Sequence, residues 1–208
     1  MMRIYFLRHG ESEGNRENRF RGRMDYPLTE KGISQAENAG SFLKDTDFEI
    51  IYSSPLKRAR QTAEKVTDIL GADYQVNDAF NNIELGQWEG RKQSSIKEQY
   101  PGKWRTWITN PRELHINGME NIKDIEKRVI TGIETIRSRH SGNVLIITHR
   151  TIIKIAVAAL TRMKAPAFWR IRINTAGLAV LEWKEPTGWI INNLNINHYL
   201  SDNDKDDN

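Results

Sequence analysis

The 208-residue chain contains no cysteine, which excludes disulfides, thiolate metal sites and a cysteine nucleophile. It also has no apolar stretch near the ~18–20 residues of a membrane-spanning helix. The longest candidate, Ile152 to Leu160, is too short and carries Lys154. The first residues hold one arginine and too few apolar residues for a signal peptide. A soluble, cytoplasmic protein without a membrane partner is therefore expected. No Pro/Gly/Ser-rich linker or repeat divides the chain, so a single domain is expected over residues 1–200. Charge is modest, +4 overall. Four acids against one lysine put residues 201–208 at −3, which leaves +7 on the body. Such a tail buries no apolar area and is expected to be disordered. A basic body suits an anionic small ligand. It suits nucleic acid as well, but aromatic–basic interleaving of a known kind is missing and no nucleic-acid partner is expected.

Apolar residues are present in short runs. Strand-like runs lie near 2–8, 48–53, 73–77, 144–148, 178–183 and 189–195. Amphipathic segments alternate with them at 30–44, 56–70, 120–138 and 151–163. The clearest is the third, with Ile122, Ile125, Val129, Ile133 and Ile136 on one face. This alternation predicts a three-layer α/β/α sandwich with a mainly parallel sheet and one antiparallel edge strand. Residues 80–118 break the pattern with Trp88, Trp104, Trp107, Pro101 and Pro111. They read as a lid or wall over the strand ends, or as a variable surface insertion.

The candidate site lies where strands end. Arg8 and His9 follow the run Ile4–Leu7, and His149 follows Val144–Thr148. Open α/β sheets bind ligands at the carboxyl ends of their strands. A third strand end runs into Ser54-Pro55-Leu56-Lys57-Arg58, where Pro55 suits a helix start and Arg58 lies one turn in. Helix N-termini favour phosphate. Arg8, Arg58, His9 and His149 can thus converge on one anion. A metal held by His9 and His149 lacks a third ligand and faces repelling arginines, so neither metal nor other cofactor is expected.

Arg8-His9-Gly10-Glu11-Ser12 with Asn15 resembles the signature of the histidine phosphatase superfamily, in its phosphoglycerate-mutase-like branch. The segments 27–32, 53–63, 85–90 and 147–149 follow in the family's order. The resemblance implies a phosphatase that hydrolyses a small phosphomonoester through a phosphohistidine on His9. It implies that Arg8, Asn15 and Arg58 bind the phosphate and that His149 completes the pocket. Arginines near His9 keep its imidazole neutral, as a nucleophile requires.

The chain departs from the family pattern at three positions. Asn82 stands where the phosphatase branch usually has a glutamate, and an amide cannot protonate a departing alkoxide. Glu84, two residues on, is the candidate replacement, since alternate residues of an extended segment share a side. Arg150 stands where a glycine commonly follows the histidine. With Arg21 and Asn82, it is a possible contact on the substrate side. Asn121 stands where a serine is common. These departures leave two other readings: a weak or inactive relative that binds phosphorylated ligands or a protein partner, and a phosphoglycerate mutase. Substrate identity and oligomeric state are not readable from the sequence.

Overall fold

The computed structural model describes residues 2–163 and 168–205. Six strands form one sheet: β1 (Arg3–Arg8), β2 (Phe48–Ser53), β3 (Gln75–Val76), β4 (Asn143–Thr148), β5 (Leu178–Lys184) and β6 (Gly188–Ile196). Their order is β3-β2-β4-β1-β5-β6. The β3-β2-β4-β1 portion is parallel. The hairpin β5–β6 supplies the antiparallel edge, β5 running against both neighbours. All six expected strands form. The seven helices of the described residues are α1 (Glu13–Arg16), α2 (Glu30–Leu43), α3 (Lys57–Leu70), α4 (Gln93–Gln99), α5 (Pro101–Thr109), α6 (Ile122–Arg139) and α7 (Arg150–Leu160).

Alternating burial on the strands divides the core between the two sheet faces. Leu7, Ile51, Leu145 and Ile147 pack with Ala39 and Leu43 of α2 and Ala59, Ala63 and Val66 of α3. Ile4, Phe6, Val144 and Ile146 pack with the apolar stripes of α6 and α7. Each strand thus sends successive side chains to opposite faces, which gives the three layers. Thr29 caps α2 by accepting from the Gly32 amide at 3.0 Å.

The 80–118 excursion is a wall built into the core. Phe80, Ile83, Leu85, Trp88, Ile96 and Trp107 are all buried. Burial of such aromatic area anchors an otherwise irregular segment. The sequence pattern did not indicate α4 and α5, which are short and interrupted by Pro101 and Gly102.

Residues 201–205 of the acidic tail lie against α2. Asp202–Asp204 make a 3-10 turn against α2, where Ser34 and Asn38 donate to the Asp204 carboxylate at 3.1 and 3.2 Å. Gln35 donates to the Asp204 carbonyl. The tail is held by polar partners on α2, which a reading based on apolar burial does not detect. Residues 206–208 lie outside the described residues.

Candidate active site

The sheet register brings the site together. Arg8 pairs with Thr148, and Ser53 with Ile147. The His9 amide donates to the Thr148 carbonyl and the Ser54 amide to the Ile147 carbonyl, each at 2.9 Å. His9 and Ser54 therefore flank the end of β4, from which His149 projects as the first cap residue of α7. Gly10 then passes against α2 so closely that a β-carbon there would lie 2.2 Å from the Gly32 carbonyl oxygen. Only glycine allows this approach. Thr62 of α3 accepts from the Gly10 amide at 3.1 Å and fixes the turn after the histidine.

The tautomer of His9 follows from one contact. Its Nδ1 lies 2.6 Å from the Gly10 carbonyl oxygen, which can only accept. The proton is on Nδ1, and Nε2 carries the free lone pair. The His9 and His149 rings stand edge to face, with centroids 5.2 Å apart. Both are 2% exposed. Burial first, then the Arg58 charge, holds both histidines well below the ordinary imidazole range, with Arg8 and Arg21 adding to the effect. His149 Nε2 meets the Ser54 hydroxyl at 2.7 Å, and its Nδ1 is buried without a hydrogen-bond partner among the described residues. A serine O–H donating to Nε2 leaves the His149 proton on Nδ1, as an available donor.

The cations are fixed by backbone carbonyls. Arg58 is fully buried and donates to the Met24 and Gly22 carbonyls at 2.8 and 2.9 Å. Burial pulls its pKa down to about 10, which leaves it charged at neutral pH. Its Nε has no partner among the described residues. Arg8 donates to the Ile173 carbonyl at 2.9 Å. Such clamps keep a cation aimed without freezing it against a carboxylate. Asn15 lies in α1, where its Oδ1 accepts from the Ser12 amide and hydroxyl at 3.2 and 2.7 Å. Its NH₂ is the end left for a ligand.

A cavity of about 340 Å³ adjoins this cluster. Arg21, Asn82 and Arg150 line it, as do Phe20, Trp104, Trp107 and Trp169. Asn82 is buried; its Nδ2 donates to the Gly22 carbonyl at 2.9 Å, and its Oδ1 has no partner among the described residues. Asn82 and Arg58 thus share the Gly22 carbonyl.

Glu84, the candidate replacement acid, does not line this cavity. It is exposed and paired with Arg23 at 3.3 Å. Residues 81–84 form no strand, and Ile83 and Leu85 are drawn into the core, so Glu84 turns outward. Arg23 also pairs with Glu120, at 3.2 Å, and Glu120 in turn with Arg128, at 2.7 Å. That outer network holds Glu84 away from the histidines.

Ser54 and Thr62, which charge and imidazole do not point to, contact His149 and the Gly10 amide. Their available signal was position: both lie in the segment that delivers Arg58. Among the described residues no group of three His, Cys, Asp or Glu is placed to hold a metal ion. No helix of the described residues is long and apolar enough to cross a membrane.

Comparison with known proteins accords with this geometry. A protein of Hydrogenobacter thermophilus, provisionally named phosphoserine phosphatase 2, is 35% identical over 179 residues, 86% of this chain and 88% of its own length. Phosphoserine phosphatase 1 of the same bacterium is 29% identical over 203 residues, 97% of this chain and 96% of its own. The crystal structure of the alpha-ribazole phosphatase from Shigella flexneri is similar with a TM-score of 0.83 and 25% identity, covering 93% of this chain and 96% of that one. The family model for branch 1 of the histidine phosphatase superfamily matches residues 4–197. With two neutral histidines at adjacent strand ends among clamped arginines, the chain belongs to the histidine phosphatase superfamily, branch 1.

Proposed function

We propose that this protein is a phosphatase that hydrolyses a small phosphomonoester through a phosphohistidine on His9. The observation that carries the reading is the Nδ1 contact of His9 with the Gly10 carbonyl, which leaves a neutral Nε2 facing the arginine cluster. Nε2 attacks phosphorus, the P–O bond breaks, and the leaving group departs with that electron pair. Water then attacks phosphorus, the P–N bond breaks, and phosphate leaves with the proton balance made up by solvent. Arg8 and Arg58 offset charge on the transferring oxygens, where catalysis is mostly positioning and electrostatics. Asn15 and His149 donate to the same oxygens. The names of the relatives, phosphoserine and alpha-ribazole phosphatases, support a small phosphorylated substrate.

A second reading, a weak relative that binds phosphorylated ligands without turning them over, is favoured by the amide at Asn82. One assay separates the two. Purified protein releases phosphate from p-nitrophenyl phosphate, and His9→Ala loses at least about 10³-fold in kcat, the scale of a lost nucleophile. Equal rates for the two proteins contradict the proposal. Phosphate binding without release by the wild type supports the second reading.

A further inference from the structure

The cavity reaches the site through Arg150, the residue after His149, and through Gly22, whose carbonyl accepts from Arg58. Among the described residues no aspartate or glutamate lines it. The nearby carboxylates are engaged elsewhere: Glu84 with Arg23, Glu120 with Arg128, and Glu11 with the Thr29 hydroxyl. Glu89 accepts from the Arg23 and Leu85 amides at 2.8 and 3.0 Å. The Asn82 amide has no transferable proton, and His149 is neutral. What the cavity does hold is two arginines, Arg21 and Arg150, and four aromatic rings, Phe20, Trp104, Trp107 and Trp169. Phe20 meets Trp104 and Trp107 edge to face at 6.2 and 5.7 Å, and Trp107 meets Trp169 at 5.6 Å.

Resting on the phosphatase reading above, we infer that the preferred substrates are aryl phosphates, whose leaving group is a phenol. An alkyl ester expels an alkoxide nearly as basic as hydroxide, with a conjugate pKa of about 16, and needs an acid. A phenol ionises near ~10, as tyrosine does, and leaves as the phenolate without one. Charge builds on that oxygen in a loose transition state. Arg21 and Arg150 supply positive charge on the wall in place of a proton. The rings of Phe20 and the three tryptophans take the aromatic body by offset and edge-to-face contact. The cavity's size is within the ordinary range for small-ligand sites. In the step itself, His9 Nε2 bonds to phosphorus, the aryl oxygen keeps the P–O electron pair, and the phenolate takes its proton later from solvent.

The test measures phosphate release by the wild-type protein from phenyl phosphate, acetyl phosphate and phosphoserine. Phenyl phosphate has both the good leaving group and the ring, acetyl phosphate only the leaving group, and phosphoserine neither. The expected order of kcat/KM is phenyl above acetyl, and phenyl above phosphoserine by at least about tenfold, or 1.4 kcal/mol. Phosphate release with phosphoserine within tenfold of phenyl phosphate overturns the inference, as does acetyl phosphate matching or outrunning phenyl phosphate. Either result leaves the phosphatase reading standing. No release from any of the three overturns the phosphatase reading itself.

Discussion

Ser54 holds His149 through a single 2.7 Å bond to Nε2, in a place that water does not reach. Removing it leaves a buried ring nitrogen unsatisfied, at a cost of about 1–3 kcal/mol. Ser54→Ala is expected to lower kcat about tenfold with a smaller change in KM, because the ring loses its aim while the arginines remain. Ser54→Thr retains the hydroxyl and recovers most of the rate; an alanine variant with wild-type kcat contradicts the role. The two histidines also set a pH dependence. Their folded pKa lies below the 6.5 of free imidazole, so between those values the unfolded chain binds more protons. Stability therefore rises with pH across that window and is lost as pH falls below about 6.5. Activity behaves differently: His9 is already neutral, so kcat/KM shows no imidazole limb near 6.5 once the substrate's own ionisation near ~6 is divided out. An acid limb at 6.5 after that correction means that the nucleophile is not so depressed.

At the scale of the element, α7 carries an unusual charge one turn beyond Arg150. Lys154 is buried, with its ammonium 4.9 Å from the Phe168 ring and 4.6 Å from the Trp169 ring. Burial first, then Arg150 and Arg8, lowers its pKa to about 7. Unfolded lysine binds its proton up to about 10.4, so stability rises as pH climbs from 7 toward that value. Lys154→Met keeps the bulk and abolishes the titration. Its Tm is expected to exceed wild type by about 2–4 °C at pH 7, the effect of ~1 kcal/mol in a chain of this size, with the gap closing as pH rises. A constant gap, or a lower Tm at every pH, contradicts this. The same helix shows what the sequence could convey. Strand runs and the stripe of α6 were legible because burial imposes their periods on the residues, and His9, Arg58 and His149 because each follows such a run. Glu84 was not legible, since alternation holds only in a strand and the core takes Ile83 and Leu85 instead. Ser54 was hidden because a hydroxyl at a strand end is ordinary until the facing imidazole is known. Helices α4 and α5 are held by the burial of Ile96 and Trp107, a tertiary effect that short segments do not announce.

At the scale of the molecule, the parallel strands β2, β4 and β1 set three chain segments side by side, and the register fixes which residues meet. The excursion over 80–118 then closes one side with aromatic rings, while arginines clamped to backbone carbonyls supply charge. The Asp202–Asp204 turn adds a brace: buried Gln35 joins the Asp204 carbonyl to the Glu11 amide, just beyond the nucleophile. All of this converges on one nitrogen, Nε2 of His9. The direct measurement is a rapid acid-free quench of the wild-type protein during turnover of phenyl [³²P]phosphate, followed by mapping of the label. The expected label is lost in acid, kept in alkali, confined to the peptide bearing His9, and absent from His9→Ala. Phosphate release without such a label, or with the label on another residue, contradicts a phosphohistidine on His9.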